Sequence, residues 1–489
     1  MSTARNTAFN LIGAVVPLAV SLVTVPLYLK VIGLDRYGVL AICWILVGYF
    51  GLFDLGIGRA TAQKIATLAD SAPEERSRCF WIGATLSATM AAVALLIFAP
   101  FAYMGTNLIK LPNAELYAEF REAVPLLLAA LPFGFAQSLL GDTLQGRSEF
   151  LKVNAINIAG TIGTAVIPLA SAIFIGPRLS WLLASVLAAR MLVLLMLIAV
   201  SVRAVPVQGI CFGSRADVVG LLKFGGWLTV SNVVGPLLVF TDRFAIGAIL
   251  GSAAVSLYTV PYNVAWQITI IPVSLTSALF PSFASRSLAE TRSLINKAVS
   301  AITFLMTPGT IIAALLAPPF LAIWLGASIG SKSAPVACIL LFGLWANAFG
   351  RVTYSHLQAR GRPDLITKVL LAQLLPYFAA LYFGMHWFGL PGAALAWSVR
   401  CVVDSLALFL VDDAPVPSAT RLAAQALVVI GAIVGSLAIG PLAALRMALV
   451  ALLPLLGLAL VWRDRPLDLR HWLASRLRGR LVTPSEVRG

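Results

Sequence analysis

Apolar runs of about 20 residues, each long enough to cross a bilayer as a helix, recur along the chain. They centre near Ala19, Val47, Ala91, Ala130, Gly163, Met191, Pro236, Ile268, Gly309, Ala346, Leu375, Val402, Val429 and Leu452, and predict about fourteen transmembrane helices. The polar positions between them form short turns, and the longest gap, Tyr103 to Arg121, holds no domain of its own. Lys and Arg fall mainly in alternate turns: Lys64, Arg76 and Arg78; Arg147 and Lys152; Arg203, Arg215 and Lys223; Arg286, Arg292 and Lys297; Arg360, Arg362 and Lys368; and the Arg-rich tail. The positive-inside bias puts those turns and both termini in the cytoplasm, which requires an even number of crossings.

The chain also repeats itself. LQGRSEFLKVN (Leu144–Asn154) after the fourth run matches LQARGRPDLITKV (Leu357–Val369) after the tenth. Asn10 and Gly13 match Asn232 and Gly235, and Gly33 with Tyr37 matches Gly251 with Tyr258. Arg190 and Arg400 hold equivalent central positions in the sixth and twelfth runs. The fold class expected is an all-α polytopic membrane protein of two pseudo-symmetric six-helix lobes around a central cavity, plus two C-terminal helices. Residues 1–203 and 204–413 form the lobes, 414–463 helices 13 and 14, and 464–489 a basic cytoplasmic tail. Because six is even, both lobes insert with one orientation and leave a site between them.

Composition agrees: 60% of the 489 residues are hydrophobic and 11% charged, against roughly 25% charged in soluble domains. The net charge of +15 follows membrane topology and argues no nucleic-acid partner. Five cysteines and three histidines show no metal-ligand spacing, so neither metal nor cofactor is expected. Pro17, Pro26, Pro132, Pro168, Pro236, Pro272, Pro308 and Pro376 fall inside predicted helices, where each removes a backbone donor and favours a bend.

Charge inside the runs is the candidate chemistry. A charged side chain at mid-bilayer costs roughly 2.5–3.5 kcal/mol on insertion scales and normally faces a polar cavity. The candidates for holding an anionic substrate are Arg59, Arg190, Arg243, Arg351 and Arg400. Arg190 and Arg400 are the duplicated pair; the alternative for Arg400 is a structural pair with Asp404 at i+4. Asp242 and Arg243 are adjacent and point about 100° apart on a helix of roughly 3.6 residues per turn, so they need not pair. Asp54, Asp242 and Asp404 are candidates for ion coupling or cavity polarity. Asp142, Arg147 and Arg360 are candidates for a cytoplasmic gate, and Arg59 is equally explained by snorkelling to the headgroups. Glu115, Glu119 and Glu122 read as a solvated run before the fourth helix.

RNTAFNLIGAVVPL at the N-terminus, GLDRYGV, DLGIGRATAQ (Asp54–Gln63), TDRFAIG (Thr241–Gly247) and the two LQ-x-R turns together resemble the polysaccharide transporter family. More narrowly the likeness is to Wzx-type O-antigen flippases of the multidrug/oligosaccharidyl-lipid/polysaccharide exporter superfamily. The resemblance implies a V-shaped cavity between lobes in the bacterial inner membrane. It implies undecaprenyl-diphosphate-linked oligosaccharide as substrate, moved from the cytoplasmic to the periplasmic leaflet by alternating access. Membrane lipid, H+ or Na+ as coupling ion and other polysaccharide-assembly membrane proteins would be the partners. Helices 13 and 14 resemble those that hold the lipid tail in lipid II flippases, although packing explains their bland sequence equally well. A multidrug or cation antiporter and a lipid II flippase stay open as alternatives. A membrane glycan-processing enzyme fits less well, since the outer turns are short. GASIGSKS (Gly326–Ser333) lacks the spacing of a phosphate-binding loop.

Overall fold

The computed structural model describes residues 3–49, 56–68, 73–204, 241–412, 419–438, 449 and 452–456. Among them every regular element is helical and nine helices are long and apolar enough to cross a membrane. Hydrocarbon offers backbone amides no partner, so apolar runs of this length satisfy their own hydrogen bonds as helices. In chain order they are α1 (Thr3–Tyr49), α2 (Ile57–Thr67), α3 (Pro73–Leu108), α4 (Ala114–Gly146), α5 (Phe150–Phe174) and α6 (Leu179–Ala204). After helical residues 241–249 come α7 (Ser252–Ala265), a short 3-10 turn (Trp266–Thr269) and α8 (Ile270–Ser285). Then follow α9 (Leu288–Leu325), α10 (Ala327–Ala359), α11 (Pro363–Val411) and α12 (Ala419–Ala438).

Two of these helices are hairpins. α1 contains Gly33 at φ 78°, and the rings of Tyr28 and Trp44 lie 5.4 Å apart. Sixteen residues of straight helix would separate them by about 24 Å, so the chain reverses at Gly33. α11 turns likewise at Gly389 (φ 61°). A Cβ on Gly392 would stand 1.8 Å from the carbonyl oxygen of Gly384, a contact only a folded-back chain with glycine on both limbs can make.

The chain divides into two compact units. One holds Met1–Val260 and Met385–Leu390, the other Pro261–Gly384 and Pro391–Gly489.

The repeat has a physical basis at the LQ-x-R turns. After α4, Ser148 N–H donates to the Gln145 carbonyl at 2.9 Å and Glu149 N–H to the Leu144 carbonyl at 2.9 Å. After α10, Gly361 N–H donates to Gln358 at 3.1 Å and Arg362 N–H to Leu357 at 2.9 Å. Both are Schellman caps, in which a left-handed residue lets two amides satisfy the last helical carbonyls. The left-handed residue is Gly361 (φ 69°) in one and Ser148 (φ 62°) in the other. A side chain there costs about 1 kcal/mol or more. Ser148→Gly is therefore expected to stabilise the protein by about 1 kcal/mol and Gly361→Ala to destabilise it by a similar amount, read as opposite shifts in thermal midpoint.

Within the first unit, the turn at Gly33 clamps the start of α7. Asp35 Oδ1 accepts from Ser252 Oγ at 2.5 Å and from Ala253 N–H at 3.1 Å, while Ser256 Oγ donates to the Leu34 carbonyl at 2.5 Å. Lys110 ties in the preceding helical end, taking the Gly247 carbonyl with its amide at 3.0 Å and the Ile249 carbonyl with Nζ at 2.9 Å. A Cβ on Gly38 would stand 1.9 Å from the Ser252 carbonyl oxygen, so this approach admits only glycine. Nearby, Arg36 grips Glu119 through two bonds of 3.0 and 2.8 Å, and Glu119 also accepts from Leu179 N–H at 3.3 Å. Glu119 is only 5% exposed. The expectation of a solvated glutamate run fails here, because a partner 83 residues earlier buries it.

Candidate functional site

The helix-borne charges divide by what meets them. In the first unit, Arg190 lies near the middle of α6, half-buried. Its Nη1 donates to Gln137 Oε1 at 3.2 Å, and Gln137 Nε2 returns a bond of 2.8 Å to the Arg190 carbonyl. Gln137 is thus a neutral cradle that α4 offers to the cation. Arg190 Nε is buried without a hydrogen-bond partner. No carboxylate pairs with Arg190 among the described residues.

In the second unit, Arg400 sits on the second limb of α11 and does not pair with Asp404, the structural partner considered from the sequence. Asp404 accepts from Gln373 Nε2 at 2.9 Å instead. The Arg400 guanidinium lies over Tyr377 at 5.3 Å and Trp397 at 5.9 Å, distances at which aromatic faces attract cations. Tyr262 meets Trp397 edge-on at 5.4 Å and stacks on Trp266 at 5.5 Å, which extends the aromatic wall. Arg351, on α10, lies over the Tyr354 ring at 5.9 Å. Nε of both Arg351 and Arg400 is buried without a hydrogen-bond partner, and neither forms an ion pair among the described residues.

Arg243 differs. It is 2% exposed, its Nη1 lies 2.6 Å from Asp242 Oδ1, and its own amide bonds the same oxygen at 2.8 Å. Tyr258 Oη donates to Asp242 Oδ2 at 2.8 Å, and the guanidinium lies 5.3 Å from the Tyr258 ring. Helical geometry left this pairing open, and here it forms. The short aspartate folds back over its own helix turn, and the long arginine bends to meet it. Asp242 is thereby committed to two neighbours and fully buried.

The remaining candidates lie outside these clusters. Arg59 is exposed on α2. Asp142 and Arg147 are half-buried near the end of α4, and Arg360 is exposed at the matching cap of α10. Asp54 lies outside the described residues, as do residues 205–240, where the seventh helix is expected to begin. Sequence reasoning missed His356, whose Nδ1 lies 2.8 Å from Asp412 Oδ2, and Gln137 and Gln373. An uncharged amide inside an apolar run was the available signal for the last two.

Three helix-borne guanidiniums with aromatic or amide neighbours, and no ion pair among the described residues, can do one thing well. They can hold oxyanions, since the guanidinium fork matches phosphate oxygens two at a time.

Comparison with known proteins places the chain among transport and polysaccharide-assembly relatives. The chain is 29% identical over 411 residues to a candidate O-antigen transporter of Shigella flexneri, covering 83% of this chain and 97% of that one. It is 22% identical over 423 residues to the lipopolysaccharide biosynthesis protein WzxC of Escherichia coli strain K12, covering 85% and 81%. In fold it is similar to the lipid II flippase MurJ in an inward closed conformation, with TM-score 0.73, 12% identity and coverage of 94% and 98%. It is also similar to an inward-facing MATE family transporter of the MOP superfamily, with TM-score 0.67, 15% identity and coverage of 84% and 98%. The family model described as polysaccharide biosynthesis protein matches residues 3–287, more than half of the chain, and this multi-pass membrane protein belongs to that family.

Proposed function

We propose that the protein is a flippase that moves undecaprenyl-diphosphate-linked oligosaccharide from the cytoplasmic to the periplasmic leaflet of the bacterial inner membrane, for assembly of a surface polysaccharide. The observation that carries this reading is the set Arg190, Arg351 and Arg400, cations held in apolar helices without an ion pair among the described residues. Unpaired charge at that depth is costly, and a diphosphate that visits the site offsets the cost. The kinship with proteins named for O-antigen and lipopolysaccharide assembly supports a glycolipid substrate.

In this reading about fourteen helices form two six-helix lobes, residues 1–203 and 204–413, with helices 13 and 14 following. The arginines line a cavity that opens alternately to either side as the lobes rock, with Asp142, Arg147 and Arg360 at the cytoplasmic gate. An ion gradient or the membrane potential supplies the energy. A cation exporter would need carboxylates that can exchange ligands. Asp242 is held by Arg243 and Tyr258, and Asp404 by Gln373, which favours the anionic substrate.

The test is the leaflet location of undecaprenyl-diphosphate glycan in cells with and without the protein, read with a membrane-impermeant probe. Without the protein the glycan is expected to accumulate on the cytoplasmic face, and re-expression to reverse it. An unchanged distribution overturns the proposal.

A further inference from the structure

Within the first unit a groove of about 620 Å³ opens between α3, α4 and α6. On α3 its wall is a run of small side chains, Ala84, Ser87, Ala88, Ala91 and Ala92; opposite stand Phe135 and Leu139 of α4. Spacings of three and four put those small residues on one helix face, so the void is written into α3. Trp81 and Leu95 both line it, and the helical rise from one to the other makes it roughly 21 Å long.

Its two ends differ. At the end where α3 begins and α6 ends, Trp81 Nε1 and the Oγ of Ser201, itself 3% exposed, have no hydrogen-bond partner among the described residues. At the other end, deeper along α6, lies Leu194, and one turn further along the same stripe is Arg190, with its neutral Gln137 cradle. We infer that this groove seats a stretch of the isoprenoid tail of the lipid-linked substrate while the diphosphate is held at Arg190. This inference rests on the proposed function and names a tail site on α3, α4 and α6 in place of helices 13 and 14. The occupant is a single polyprenyl chain for a reason of position. A bilayer phospholipid keeps its phosphate at the interface, about 15 Å from mid-bilayer, whereas a substrate in transit brings a diphosphate to a central arginine with its tail still in hydrocarbon.

The test uses the full-length protein reconstituted with phosphatidylethanolamine and phosphatidylglycerol, with retained lipid read by native mass spectrometry. The probes are undecaprenyl diphosphate and the short-tailed isopentenyl diphosphate. Ala88 is exposed, so Ala88→Trp fills the groove without entering the core; Ala92→Phe serves if that variant does not fold. Filling the groove is expected to lower retention of undecaprenyl diphosphate roughly tenfold, since several buried methylenes are displaced, and to leave isopentenyl diphosphate unchanged. Arg190→Gln should weaken both. Equal retention of undecaprenyl diphosphate by the filled variants overturns the groove and leaves the proposed function standing. Loss of phosphatidylglycerol alone assigns the groove to bilayer lipid and overturns the inference. A wild-type protein that retains neither diphosphate overturns the substrate reading and the groove with it.

Discussion

Cells in which Arg190 and Arg400 are both replaced by glutamine should export no lipid-linked glycan, at wild-type levels of folded protein. Hydrogen bonds to a charged partner contribute about 1.5–3 kcal/mol, so each single replacement is expected to slow export by roughly 10- to 100-fold, and the pair to take it below detection. Lysine should rescue only partly, because it keeps the charge and loses the planar fork. Stability separates this from a structural role. Among the described residues Arg190 is met by Gln137, and Arg400 by two aromatic faces and the Cys401 sulfur, so glutamine removes a charge that no ion pair holds. The thermal midpoint of Arg190→Gln should hold or rise. A clear fall with normal export would make these arginines packing elements.

Much of this architecture is legible in the sequence because it rests on local rules. Apolar length marks the helices, and a left-handed residue is required where LQGRS and LQARG close α4 and α10, which is why the two turns read as copies. Gly33 stands out for the same reason, although the hairpin it makes becomes visible only when Tyr28 meets Trp44. Side-chain pairing is where the reading stops. Arg36 finds Glu119 from 83 residues away and His356 finds Asp412 from 56, distances over which no periodicity carries information. Within one helix the spacing offered an alternative that does not form. Arg400 and Asp404 have the spacing of an ion pair, yet Gln373 reaches the aspartate and two aromatic rings take the arginine. Helical spacing states which groups can meet, and competition among neighbours decides which do.

Asp242 shows that competition at its strongest, and its replacement carries the largest expected cost to the fold. Asp242→Asn leaves Arg243 charged at 2% exposure, with a neutral amide where its counter-ion stood. Breaking a buried pair from one side typically costs about 3–5 kcal/mol, so folded protein should fall sharply, read as monodisperse protein surviving a heat step. Tyr258→Phe removes one donor from the same carboxylate and should cost about 1–3 kcal/mol. Asp242→Asn combined with Arg243→Gln should be more stable than Asp242→Asn alone, because no buried cation is left facing a neutral amide in place of its carboxylate. That ordering is the signature of a pair whose members are expensive singly and dispensable together. If Asp242 were instead a free coupling carboxylate, Asp242→Asn would fold normally and lose only the dependence of export on the ion gradient. With Oδ1 bound to Arg243 and Oδ2 to Tyr258, the carboxylate is fully buried and its charge is already matched by Arg243, so the stability loss should appear first.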